Sequence, residues 1–207
     1  MKTLPLLLIL LSSFTISAQT GNSLVLDQKG KEKLPLKSGK ISYSITGGAS
    51  GSATLYFDRN GWRQMIIREL TFERYGMKST EKTIEYIDGD LLHKANLDSK
   101  KGLKSIDGRW SELITYKPAS EIPTIILEDN GGLKKGEAIQ LNYPVTIWEF
   151  TSGARKSVWE WNGIILKEYK SLGDLSYQMT AETFLENEPI PEEVFELPEN
   201  ITWKMLK

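Results

Sequence analysis

The 207-residue chain has no cysteine and a single histidine. The first absence excludes a disulfide framework, thiol catalysis, cysteine-ligated zinc and a lipid-modified lipoprotein amino terminus. The second leaves a serine triad, a two-histidine metal site and a histidine phosphorelay without their usual parts. No phosphate-binding glycine loop, dinucleotide fingerprint or nucleophile elbow occurs. Excess charge is missing as well: 26 basic residues stand against 27 acidic ones. That balance argues against nucleic acid and against electrostatic docking on an anionic membrane.

One long apolar run is present, Leu4 to Leu11, between the basic start Met1-Lys2 and the polar exit Ser12 to Ala18. It is shorter than the roughly 18 apolar residues that a spanning helix needs, so it predicts a signal peptide of residues 1–18, cleaved after Ala18, and a periplasmic or secreted product with no other membrane-spanning segment. Residues 19–40 read as a polar lead-in around Leu24-Val25-Leu26. Residues 41–207 read as one β-rich domain.

From Ile41 the period is two. Ile41, Tyr43 and Ile45 alternate with Ser42, Ser44 and Thr46, and Ala53, Leu55 and Phe57 resume the pattern after a glycine-rich loop at 47–51. Asp58-Arg59-Asn60-Gly61 is a turn signal with two registers open: Arg59 opposite Trp62, or Asp58 opposite Trp62. Taking Asp88-Gly89 as a two-residue turn places Ile84 opposite His93 and Tyr86 opposite Leu91. Asn162-Gly163 is the strongest hairpin cue, pairing Trp161 with Ile164 and Trp159 with Leu166 on one apolar, aromatic face. About nine or ten strands result, with one or two short helices: one capped by Ser120 and carrying Ile122, Ile125 and Ile126 on a face, although Pro123 and the adjacent isoleucines fit a strand nearly as well, and one turn at Pro191 to Phe195. The fold expected from this pattern is mainly β: an antiparallel sandwich, a barrel or a strongly curved antiparallel sheet.

Nothing in the pattern assembles a catalytic site, and no metal or cofactor is expected. His93 reads as a half-buried packing or surface residue. Glu149, Glu160, Glu168 and Glu182 lie on strands, but with 27 acidic residues some pair falls within reach by chance. Arg63, Arg68 and Arg74 near Trp62 and Tyr75 read as a solvated strand face.

Aromatic side chains are abundant, with 6 Trp, 8 Tyr and 6 Phe. Rings on strands serve either a packed core or the lining of a hollow, and periodicity tells which side chains share a face, not whether that face is covered.

Gly39-Lys40-Ile41-Ser42-Tyr43-Ser44-Ile45, the hairpin Val158 to Lys167 and the closing Glu193-Val194-Phe195-Glu196-Leu197-Pro198, behind an exported leader without a lipobox, resemble the outer-membrane lipoprotein carrier superfamily and its secreted half-barrel relatives. The resemblance covers residues 38–200. It implies a curved sheet wrapped round helices as a half-barrel, with an apolar hollow that takes lipid chains. The expectation is therefore an exported, non-catalytic protein that binds a lipid or acyl chain, with Trp159, Trp161, Ile164 and Leu166 as the candidate apolar face. The alternative is a structural or interaction module of the bacterial cell envelope whose sheet is fully packed.

Overall fold

The computed structural model describes residues 31–74 and 76–206. The leader and the Leu24-Val25-Leu26 run lie outside them.

Among the described residues the alternating segments form twelve strands: β1 (Gly39–Gly47), β2 (Ala49–Asp58), β3 (Arg63–Arg74), β4 (Met77–Asp88), β5 (Leu91–Asn96), β6 (Lys101–Ile106), β7 (Gly132–Gln140), β8 (Tyr143–Phe150), β9 (Arg155–Trp161), β10 (Ile164–Leu172), β11 (Leu175–Glu186) and β12 (Thr202–Met205). Two short helices, α1 (Arg109–Leu113) and α2 (Ile122–Asp129), link β6 to β7. The strands form one sheet in the order β12-β6-β5-β4-β3-β2-β1-β11-β10-β9-β8-β7, mainly β as expected and not closed into a barrel. One pairing departs from the antiparallel expectation: β12 lies parallel to β6 at one edge. The chain reaches that edge by a long return from β11 instead of a hairpin, which frees the pairing direction.

The β7 limb is rolled inward. β7 and β11 are four steps apart in the sheet, about 19 Å if it were flat. Gln140 Nε2 on β7 nevertheless donates to Ala181 O on β11 over 3.2 Å. The Tyr143 ring on β8 lies 5.2 Å from Phe184 on β11. Inside this roll sits the principal core, where Ile41, Tyr43, Ile45, Leu55 and Phe57 meet Val145, Ile164, Leu166 and Met179.

Residues ahead of β1 belong to that core. Leu34 is buried in it and Leu36 packs against it, while Leu34 N donates to Asn60 O and Asn60 N to Lys37 O. The stretch read as part of a polar lead-in is thus docked from Lys33, and Gly39-Lys40 already opens β1. Gly61, at φ +81°, leaves the room Leu34 fills, since a Cβ there would lie 2.5 Å from Leu34 Cγ.

Two smaller cores lie beside it. Met65, Ile84 and Ala95 pack under Phe195 and Ile201 of the returning C-terminal segment. Trp148, Phe150 and Val158 pack under Leu127 of α2. α2 forms where a helix was expected, but no side chain caps it; Pro123 at its first turn needs no amide partner there. α1 was not expected: its five residues hold too little periodicity to stand out.

Three registers differ from expectation. The 58–61 turn is a four-residue connection pairing Asp58 with Arg63, with Arg59 and Asn60 both left-handed. The β4–β5 turn is Gly89-Asp90, so Asp88 pairs with Leu91 and His93 faces Tyr86, not Ile84. At Asn162-Gly163 both residues have positive φ, as a two-residue turn of this hand requires, and Trp161 pairs with Ile164. A bulge after Ile165 then places Lys167, not Leu166, opposite Trp159. An inserted residue of this kind leaves no mark in a hydrophobic alternation.

Candidate functional site

Trp159, Trp161, Ile164 and Leu166 all belong to the principal core or its margin. Ile164 and Leu166 are 1% and 0% exposed. They belong to one buried cluster with the chain's own Tyr43, Val145 and Leu34, so the inside of the roll at this point is occupied by protein. Trp159 and Trp161 are half-buried at its rim. The Lys167 ammonium lies 4.3 Å from the Trp159 ring centroid. Trp161 stands 4.6 Å from Tyr143 and 6.2 Å from Phe184.

The four strand glutamates have separate environments. Glu168 is buried and held by Arg155 Nε at 2.7 Å and Lys170 Nζ at 2.9 Å. Burial would raise its pKa, but the two cations outweigh it and keep the carboxyl below its usual range. Glu160 is buried and accepts the Gly163 amide, which ties it to the turn. Its burial pushes the carboxyl up. Glu182 accepts from Ser44 Oγ at 2.5 Å, and Glu149 lies 3.5 Å from Lys135. Each of these carboxylates is engaged by a neighbour of its own.

His93 is 4% exposed, deeper than the half-buried or surface position expected. Its ring lies 5.1 Å from Trp203 and 5.7 Å from Tyr86. Its Nδ1 has no hydrogen-bond partner among the described residues. Burial, followed by the Lys104 charge, lowers its pKa, so it serves as a neutral packing group.

The arginine strip is not simply a solvated face. Arg63 is buried, with Nε donating to Asp58 Oδ1 at 2.8 Å and Nη2 to Glu192 Oε1 at 2.9 Å, and its guanidinium lies 4.0 Å from the Phe195 ring. Arg68 lines a trough of about 430 Å³ over β3 to β6, together with Glu85, Lys94, Asn96, Lys101 and Leu103. Strand pairing builds this trough. Arg68 pairs with Thr83, Thr83 with Asn96 and Asn96 with Lys101, so these residues form one row across four strands. Glu85, Lys94 and Leu103 form the next row. Directly opposed residues in a sheet share a face, so each row presents its side chains together. Arg68 was legible as a strand residue, but its neighbours come from registers that the sequence left open.

Two further hollows are present. One of about 320 Å³ lies between Lys33-Leu34-Pro35, Pro123 and Asn162. Another of about 290 Å³ lies by Leu133, Phe150 and Tyr169. None of the three is lined by Trp159, Trp161, Ile164 or Leu166.

No family model and no curated protein matches the chain. Among solved structures, PNGF-II aligns over 82% of this chain and 32% of its own, at 12% identity and a TM-score of 0.51. An uncharacterized conserved protein from Thermus thermophilus aligns over 86% of this chain and 94% of its own, at 7% identity and a TM-score of 0.47. The Pseudomonas aeruginosa MucA/MucB complex aligns over 80% of this chain and 57% of the matched chain, at 8% identity and a TM-score of 0.40. The chain therefore spans about a third of the length of PNGF-II. At 12% identity the likeness to PNGF-II is one of fold alone, and the carrier superfamily remains a resemblance in residues.

Proposed function

We propose that this chain is an exported, non-catalytic module of the bacterial cell envelope that recognises a partner at its surface. The observation that carries this reading is the full burial of Ile164 and Leu166 inside the roll, where a lipid carrier needs an open apolar hollow of several hundred Å³. Export rests on the Leu4 to Leu11 run and the exit at Ala18. The absence of catalysis is supported by the engaged strand glutamates and by the sealed His93.

Binding of a lipid or acyl chain stands as the second reading, favoured by the half-buried Trp159 and Trp161 at the rim. Tryptophan emission of the mature protein, titrated with oleate and with phosphatidylethanolamine vesicles, decides between them. The module reading expects no spectral change. A shift abolished by Trp159→Ala would establish the ligand reading in its place. Amino-terminal sequencing of protein recovered from the host envelope should begin within two residues of Gln19, and a retained Met1 would overturn export.

A further inference from the structure

The trough over β3 to β6 is the feature that neither core packing nor chain connection explains. Among the described residues three cations, Arg68, Lys94 and Lys101, line it, against one lining carboxylate, Glu85. A second carboxylate, Glu81, stands beside it and accepts from Asn96 Nδ2 at 2.8 Å. Glu85 Oε2 lies 3.2 Å from Lys94 Nζ and 3.6 Å from Arg68 Nη1. At the latter distance Glu85 forms an ion pair with Arg68 but no hydrogen bond. The Arg68 side chain is only 20% exposed. Such a covered guanidinium has lost most of its water, and a carboxylate from outside gains two charge-assisted hydrogen bonds there.

The dimensions narrow the class of ligand. Four strands span about 14 Å, the length of about four residues of extended chain. The trough is far larger than a small inorganic anion. Leu103, 42% exposed beside Lys94, adds an apolar contact within the same row. From a guanidinium that Glu85 pairs with at 3.6 Å without a hydrogen bond, the excess of cations among the described lining residues and the span, we infer that this trough binds an extended acidic segment of a protein partner, with Arg68 seating one carboxylate and Leu103 contacting a neighbouring apolar side chain. The inference rests on the module reading and names the surface it uses.

The test is fluorescence anisotropy of the mature protein with a fluorescein-labelled octapeptide of alternating Glu and Leu. A peptide of alternating Lys and Leu serves as control, and inorganic phosphate as competitor. Binding of the acidic peptide alone is expected, weakening about tenfold with Arg68→Gln and with the pair Lys94→Glu and Lys101→Glu, and weakening further with added salt. The exposed lysine pair guards against misfolding of the Arg68 variant. No binding, binding that both variants leave unchanged, or displacement by phosphate as effective as by unlabelled peptide would each overturn the proposal. Such a failure with lipid-insensitive tryptophan emission rejects this trough while leaving the module reading in place. A lipid-induced shift rejects the module reading itself.

Discussion

Trp159 faces Lys167 across the β9–β10 ladder, with the ammonium 4.3 Å from the centroid of the indole's ring, while Leu166 is displaced by the bulge and fully buried. The pair caps the rim of the roll. A cation on one side of the ring and core on the other leave Trp159 less enclosed than Trp148, which is 2% exposed.

The two tryptophans therefore differ in cost. Trp148→Ala should lose about 3 to 5 kcal/mol through lost contacts and a cavity under α2, and Trp159→Ala about 1 to 2 kcal/mol. Urea unfolding at neutral pH measures both. Equal losses would place Trp159 as deep in the core as Trp148.

Lys33 gives the docked arm a pH dependence. Its Nζ donates to Gly89 O at 2.9 Å and lies 4.1 Å from the Trp62 ring centroid. Burial lowers its pKa from 10.5 to about 8, against the raising effect of Asp90 and Asp107. Between those values the unfolded chain holds a proton that the folded chain releases, so this group's contribution to stability rises from pH 8 towards 10.5. The gain is on the order of 3 kcal/mol at full deprotonation. In paired melts of wild type and Lys33→Met, the wild type should gain relative to the variant from about pH 7.5 to about pH 9.5. A constant difference would show that Lys33 is not titrating in that window.

His93 acts in the same direction, on the acid side. Its folded pKa is lowered from 6.5, so as pH falls below about 6.5 the unfolded chain takes a proton that the folded chain refuses, and stability drops. His93→Gln should cost about 1 to 3 kcal/mol at neutral pH, because the amide enters a site packed between Tyr86 and Trp203 where even the Nδ1 of His93 has no hydrogen-bond partner among the described residues. The wild-type advantage should shrink from about pH 7 to about pH 5. Thermal melts at the two pH values check this, and an advantage that grows towards the acid side would contradict the burial argument.

Much of the architecture was legible because it is local. Period-two alternation in Ile41 to Ile45 and Ala53 to Phe57, and the Asn162-Gly163 turn, depend on side-chain direction and left-handed backbone, which neighbouring residues specify. The candidate site was less legible. The bulge beside Leu166 exchanges the partner of Trp159 without altering the hydrophobic pattern, and the one-pair shift at Gly89-Asp90 moves His93 from Ile84 to Tyr86. Leu34 looked like part of a polar lead-in because the left-handed pocket at Asn60 and Gly61 that receives it lies in another element.

By itself the sequence determined that this chain builds antiparallel hairpins, and it supplied the rings and branched side chains that fill one face of them. Tertiary structure alone decided that Gln140 reaches Ala181, that residues 33–37 enter the roll, that β12 returns parallel to β6, and that Arg68 shares a trough with Lys94 and Lys101. The physical reason is that curvature and register are set by the summed packing of distant strands. No single segment carries enough energy to specify them, whereas the alternation of a strand and the handedness of a turn are fixed within a few residues.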